Sequence, residues 1–404
     1  MGLTEQKGRF MKPIEIAKDI YWVGSIDWNI RDFHGYSTHR GTSYNAFLIM
    51  DEKITLIDTV KKEFADDLLN KISQIVDPKK IDYVISNHTE MDHSGGLPRI
   101  MHRIGEEKPL YCSKVGHRNL SLHFPNKWNY QAVENGSELK LGKRTLTFME
   151  TRMLHWPDSM FTYDVEDKIL FSSDAFGQHY AGLEMFDDVI GDDIMYHARK
   201  YFANILLLYS PLILKLVEKV TEMKLQLDMI CPDHGIIWRK DPSKIINAYV
   251  EWSRQEPKRK ALVIYDSMWH STEKMAMAIV DGLGEEGVDA KPMNLRQWHR
   301  SDIITEILDA GAVIIGSPTL NNGLFPTLGD FLAYMKGLKP KNKIGAAFGS
   351  YGWSGESVKL INDALEAMKI QVIDPGVSLQ YVPDEKGLNA CHELGKKIAD
   401  NLPR

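Results

Sequence analysis

The sequence predicts an α/β protein of two domains, and three observations predict it. At 404 residues the chain exceeds a typical single domain. Short apolar runs, each ending in a polar or glycine-bearing loop, recur in both halves. Between the halves lies Ser253-Arg254-Gln255-Glu256-Pro257-Lys258-Arg259-Lys260, which is charged, poor in apolar residues and carries a proline. One domain is therefore expected at 1–254 and a second at 255–404.

In the first domain the apolar run Ile81-Asp82-Tyr83-Val84-Ile85 leads into His88-Thr89-Glu90-Met91-Asp92-His93. Four metal-capable side chains, His88, Glu90, Asp92 and His93, follow this strand, and a sharp turn at its end directs them into one pocket. Three more candidates come after strand-like runs. His155 follows Arg144 to Glu150, Asp174 ends Lys168 to Ser173, and His234 follows Leu227 to Asp233. Strand ends that repeatedly carry His or Asp gather ligands along one edge of a layered α/β scaffold. Imidazole suits zinc, iron and copper, whereas carboxylate is harder and favours iron and manganese. The mixture points to two metal ions, and the glutamate points to iron.

The second domain opens with Ala261-Leu262-Val263-Ile264-Tyr265, a short apolar run of the buried parallel type. It leads to Ser267, Met268, Trp269, Ser271 and Thr272 ahead of an amphipathic helix. Hydroxyls beside free helix N–H groups bind phosphate. Ala312 to Gly316 leads into Pro318, Thr319, Leu320, Asn321, Asn322 and Gly323. Lys343 to Gly349 leads into Ser350, Tyr351, Gly352, Trp353, Ser354 and Gly355. Ligands of open parallel sheets bind where such loops meet, at the carboxyl ends of the strands. Glycine lets the backbone approach a planar ring, and Trp353 between two glycines is placed to stack on it.

These residues carry a resemblance. The stretch from about Ile14 to Arg254 resembles the metallo-β-lactamase fold, an αββα sandwich with a dinuclear site and the common signature His-x-His-x-Asp-His. Here Glu90 stands at the second histidine, which is the mark of the flavodiiron proteins (A-type flavoproteins). Residues from about Arg259 to Arg404 resemble flavodoxin, a doubly wound parallel sheet, although Trp269-His270 stand where flavodoxins often carry Thr-Gly. The resemblance implies FMN and two non-heme irons. It implies that His88, Glu90 and His155 bind one iron and Asp92, His93 and His234 the other, with Asp174 bridging. In some members the histidine matching His93 turns away from its metal. A third carboxylate eases oxidation of the metals, whereas histidine at position 90 would leave the site more positive and favour a zinc-bound hydroxide.

The implied activity is reduction of dioxygen to water, or of nitric oxide to nitrous oxide, with electrons passed through FMN. Residues 31–45 resemble the form found in methanogenic archaea and some anaerobic bacteria, which implies reduced coenzyme F₄₂₀ as donor. A rubredoxin-type protein is the alternative donor. The family assembly implied is a head-to-tail homodimer, or a dimer of dimers. His34, His179 and Tyr201 lie in His- and Tyr-rich segments expected to roof the metals and supply protons. Two readings from other classes stand beside this one. They are a zinc hydrolase with a flavodoxin-like accessory domain and an electron-transfer flavoprotein with a vestigial metal domain.

Composition bounds these readings. The net charge of −6, without a long basic run, argues against nucleic-acid binding. Met1 to Lys7 lacks an apolar signal core, and the apolar stretch Ile205 to Val217 is shorter than the ~20 residues of a membrane span. A cytoplasmic location is expected. Cys112, Cys231 and Cys391 form no Cys-x-x-Cys pair, so a fused rubredoxin, which needs four cysteines, is not expected here.

Overall fold

The computed structural model describes residues 12–404. The N-terminal stretch Met1 to Lys7 discussed above lies outside them. The chain forms two compact units. The first comprises residues 38–201 and 211–250 with the N-terminal segment to His34, and the second comprises 35–37, 202–210 and 251–404.

The first unit is built on two sheets. The larger has seven strands in the order Ile14–Ala17, Ile20–Trp22, Phe47–Ile49, Thr55–Ile57, Tyr83–Ser86, Pro109–Ser113 and Asn129–Val133. Side chains alternate across it, as the pleat requires. Leu48, Leu56 and Val84 pack with Leu68, Ile72, Ile100 and Met101 of the helices Ala65–Ile75 and Leu97–Ile104. Phe47, Ile49, Ile57 and Ile85 face the other way and pack with Phe148, Met160, Phe171 and Cys231 of the second sheet. That sheet runs Glu138–Lys140, Thr145–Glu150, Met160–Asp164, Ile169–Phe171, Met229–Cys231. On its outer face Phe161 and Leu170 line a cavity of about 400 Å³ with Leu216, Val220 and Ile246, from the helices Ser210–Glu222 and Pro242–Arg254. The result is an αββα sandwich.

Strand direction explains where the candidate ligands emerge. Thr145–Glu150 and Ile169–Phe171 are each antiparallel to Met160–Asp164, and Ile169–Phe171 is parallel to Met229–Cys231. Three strands of the second sheet therefore end at the same edge, and His155, Asp174 and His234 follow those three ends.

The apolar stretch at 205–217 belongs to a longer helical run than its sequence suggests. Ile194–Glu222 spans 29 residues and is long and apolar enough to cross a membrane by length and composition. It includes a π-helical turn at Phe202–Leu206, and 44% of its most apolar window is buried inside the protein.

The second unit holds a six-stranded parallel sheet. Its path runs Asp289–Asn294, Lys258–Tyr265, Ala310–Gly316, Ile344–Tyr351 and Gln371–Val372, with Val377–Gln380 also beside Ile344–Tyr351. Val263, Ile314 and Ala346 pack with Met275, Ile279, Leu394 and Ile398 of the helices Ser271–Glu285 and Glu385–Asp400. Leu262, Ile264, Val313 and Ile315 are equally buried on the opposite face. Burial on both faces is why these strands read as continuous apolar runs. Ile314→Ala is expected to cost about 2–5 kcal/mol, visible as a lower urea midpoint for this unit. The strand order reverses between Lys258–Tyr265 and Ala310–Gly316, and a sheet of this kind binds its ligand at such a switch point.

Candidate metal centre and flavin cleft

The metal-binding motif is set by a buried network at the end of the strand Tyr83–Ser86. The Asn87 backbone N–H and side-chain amide donate to the two carboxylate oxygens of Asp58, each at 2.7 Å. Thr162 donates to Asn87 Oδ1, and the Met160 N–H donates to the Asn87 carbonyl. These bonds end the strand and tie its turn to the second sheet. Glu90 then caps the short helix Met91–Ser94, its carbonyl accepting from the N–H groups of His93 and Ser94. The resulting turn gathers His88, Glu90, Asp92 and His93, all four buried.

The seven predicted metal-binding residues meet in one place. His88, Glu90, His155 and Asp174 place ligand-type atoms within 4.8 Å of one another, and so do Asp92, His93 and His234. Asp174 faces both groups with different oxygens. Its Oδ2 lies 2.7 Å from His155 Nε2 and 3.8 Å from His88 Nε2, while Oδ1 lies 3.0 Å from His93 Nε2 and 3.6 Å from His234 Nε2. Glu90 Oε2 is 3.2 Å from both His88 Nε2 and His155 Nε2. Asp92 Oδ2 is 3.1 Å from His234 Nε2 and 3.3 Å from His93 Nε2.

The donors fit a pair of metal ions. Both oxygens of Asp92, both ring nitrogens of His93 and Oδ1 of Asp174 are buried without a hydrogen-bond partner among the described residues. Buried polar atoms left in that condition are costly unless something else binds them. Three carboxylates converging on four imidazoles supply the mixed oxygen and nitrogen set that iron accepts.

Outer groups orient the histidines. Asp158 Oδ2 accepts from the Thr89 N–H at 2.7 Å and lies 3.3 Å from His88 Nδ1, leaving Nε2 for the centre. His234 Nδ1 donates to the Ser43 carbonyl at 2.7 Å, which likewise presents its Nε2. Asp233 lies behind His93, 3.9 Å from Nδ1, and burial together with Asp58 pushes its carboxyl well above the usual range. Asp58, Asp158 and Asp233 were not singled out from the sequence, because no spacing marks them.

The three residues expected to roof the metals are also near. His179 is fully buried, its Nδ1 2.8 Å from Thr42 Oγ1 and its ring 4.8 Å from that of His234. Burial and the neighbouring His234 hold it neutral, well below the usual imidazole range. The Tyr201 ring lies 5.1 Å from that of His179, and its buried hydroxyl has no hydrogen-bond partner among the described residues. Burial keeps that phenol protonated. His34 differs, because its side chain is 58% exposed while Nε2 lies 2.7 Å from Glu90 Oε1. That hydrogen bond raises its pKa.

In the second unit a cleft of about 440 Å³ opens at the carboxyl ends of the strands. Met268, Trp269 and Ser271 line it from the first loop, Pro318, Thr319, Leu320 and Asn321 from the second, and Ser350, Tyr351, Gly352 and Trp353 from the third. The other expected residues sit behind this lining. Ser267 Oγ accepts from the Glu273 N–H inside the helix Ser271–Glu285, and Thr272 is buried with its hydroxyl 2.9 Å from Ser350 Oγ. Gly323 closes the second loop onto Leu320, and Asn322 donates to Glu356 at the start of the helix Glu356–Ala367. Ser354 and Gly355 immediately precede that helix. Tyr381 and Val382 complete the lining and were not anticipated. The Tyr381 N–H donates to the Tyr351 carbonyl across the sheet edge, a contact with no local sequence pattern.

The cleft fits a flavin mononucleotide. Trp269 is 81% and Trp353 85% exposed, an unusual state for large aromatics unless they flank a ligand or partner. Ser271 lines the cleft and opens a 15-residue helix, and a helix N-terminus favours phosphate.

Comparison with known proteins places a known family in each unit. Residues 42–235 match the ODP family beta lactamase and residues 263–395 match flavodoxin. A nitric oxide reductase of Moorella thermoacetica is 49% identical over 97% of this chain and 99% of its own. The solved rubredoxin oxygen:oxidoreductase of Desulfovibrio gigas superposes with a TM-score of 0.94 at 44% identity, covering 96% of this chain and 98% of that one. The flavodiiron protein of Giardia intestinalis does so with a TM-score of 0.92 at 35% identity, covering 98% and 97%. With both units aligned at such identities over nearly their whole length, the chain belongs to the flavodiiron proteins.

Proposed function

We propose that this flavodiiron oxidoreductase reduces dioxygen to water in the cytoplasm, with electrons drawn from reduced coenzyme F₄₂₀. The observation that carries the two-metal part of this reading is Asp174, one carboxylate facing two ligand groups, while the donor follows from the resemblance of residues 31–45. When bound, FMN takes up a hydride and releases electrons singly, and an iron pair passes electrons to a diatomic gas. His88, Glu90 and His155 would hold one iron and Asp92, His93 and His234 the other, with Asp174 facing both groups. Ser271 and the loops at 318–321 and 350–353 would hold FMN.

The chain's own residues arrange the rest. Tyr201 holds a proton at Oη beside His179 and His234, and neutral His179 is fixed through Nδ1 by Thr42 with its ring beside that of His234. His34 connects an exposed edge to Glu90 and offers a route for protons from solvent. A head-to-tail dimer, in which the flavin of one subunit serves the irons of its partner, completes the electron path.

A second reading has its own support. The Moorella relative is named a nitric oxide reductase and the Desulfovibrio structure a rubredoxin oxygen:oxidoreductase. They favour nitric oxide as an alternative substrate and a rubredoxin-type protein as an alternative donor. Anaerobic mixing with reduced coenzyme F₄₂₀ or reduced rubredoxin, followed by O₂ or NO in separate runs, tests all of these. Oxidation of two F₄₂₀ donors per O₂ consumed is the expected result. Turnover with rubredoxin alone would overturn the donor, and turnover with NO alone would overturn the substrate.

A further inference from the structure

Asp174 sits on a turn strained on both sides. Ser173 has φ of +51° and Phe176 of +69°, a region that residues with side chains rarely adopt. The polar backbone groups of buried Phe176 are all taken. Its N–H donates to Tyr249 Oη at 2.7 Å, and its carbonyl accepts from Trp238 Nε1 at 2.9 Å and from Gln178 Nε2 at 3.0 Å. The Phe176 and Tyr249 rings lie 4.6 Å apart.

Gln178 also reaches the next turn. Its Oε1 accepts from the Ile236 N–H at 2.7 Å, and its own N–H donates to the His234 carbonyl at 3.2 Å. The two turns approach so closely that a Cβ on Gly235, whose φ is +77°, would lie 2.0 Å from Gln178 Oε1. One buried amide thus joins the loop bearing Asp174 to the loop bearing His234.

We propose that Tyr249, Trp238 and Gln178 are positioning residues of the metal centre. They hold Phe176 in its left-handed turn and keep the Asp174 carboxylate in register with His234, so that its two oxygens face the two ligand groups. Their polar atoms are spent on backbone, which separates them from the ligands themselves. The proposal rests on the reading of Asp174 as a ligand. A metal site demands geometry held within about 0.5 Å, and loss of supporting partners typically costs 10–100-fold in metal affinity.

The test compares Tyr249→Phe, Gln178→Met and Asp174→Ala with the parent, each purified with FMN. Iron per chain, the rate of iron loss to an excess of chelator, flavin content and melting temperature are measured together. The expected result is iron loss about tenfold faster or more in Tyr249→Phe and Gln178→Met, at unchanged flavin content. Lower melting temperatures with parental iron release in both variants, while Asp174→Ala loses its iron, would overturn the positioning role alone. Full iron retention in Asp174→Ala would overturn the ligand reading and this proposal with it. Tyr249→Phe removes a single oxygen, so it keeps the question answerable if Gln178→Met does not fold.

Discussion

Asp174→Ala is expected to strip the iron centre and abolish gas reduction while the protein stays yellow. Asp174 is the only predicted ligand with one oxygen toward His155 and the other toward His93 and His234. Alanine removes both contacts at once and leaves the carboxylates Glu90 and Asp92 each on its own side. Supporting partners alone are worth 10–100-fold in metal affinity, so loss of a shared ligand should exceed about a hundredfold. The cleft for FMN is lined by residues of the second unit alone, so flavin content should hold. Iron analysis, flavin absorbance and gas consumption read the three quantities separately. Normal turnover at two irons per chain would sink the assignment.

Glu90 bears on the same centre in a different way. It lies within 3.2 Å of two histidines and also holds His34. A histidine there would remove one negative charge and the His34 contact together. The third carboxylate is thus part of the geometry as well as of the charge balance that distinguishes a redox site from a hydrolytic one.

The convergence of the seven candidate side chains was legible in the sequence because each follows a strand-like run. His155, Asp174 and His234 come directly after such runs, and the structure shows why that sufficed, since their strands end at one edge. The motif at 88–93 was legible from spacing alone, because a turn followed by a short helix collects those offsets. What escaped were the groups that tertiary packing delivers. Asp158 and Asp58 reach the motif from turns distant in sequence. Trp238, Tyr249 and Gln178 act through backbone atoms, and a left-handed Phe176 has no glycine to announce it. Tyr381 and Val382 reach the flavin cleft only because Val377–Gln380 pairs with Ile344–Tyr351. Helical continuity through 194–222 was obscured for a related reason. Ser210 and Pro211 interrupt the apolar run, but serine and proline are tolerated where a new helical turn begins.

Ser271→Glu is expected to expel FMN and leave both irons in place, the reverse of the Asp174 pattern. Ser271 lines the cleft and opens the helix Ser271–Glu285, so its side chain competes for the space a phosphate would take. Two like charges about 4 Å apart repel by ~4 kcal/mol at an effective dielectric of about 20. Screening in an open cleft reduces that figure, and a hundredfold loss of FMN affinity is a fair lower bound, equivalent to about 2.8 kcal/mol. Ser267→Glu should weaken FMN less, because the Ser267 hydroxyl turns toward the Glu273 N–H and does not line the cleft. Titration of the flavin-free variants with FMN, followed by quenching of flavin fluorescence, ranks the two. Equal affinity of Ser271→Glu and the parent would move the phosphate away from this helix terminus. If Ser267→Glu had the larger effect, the first loop would have to rearrange when flavin binds, with the Ser267 hydroxyl leaving the helix for the phosphate.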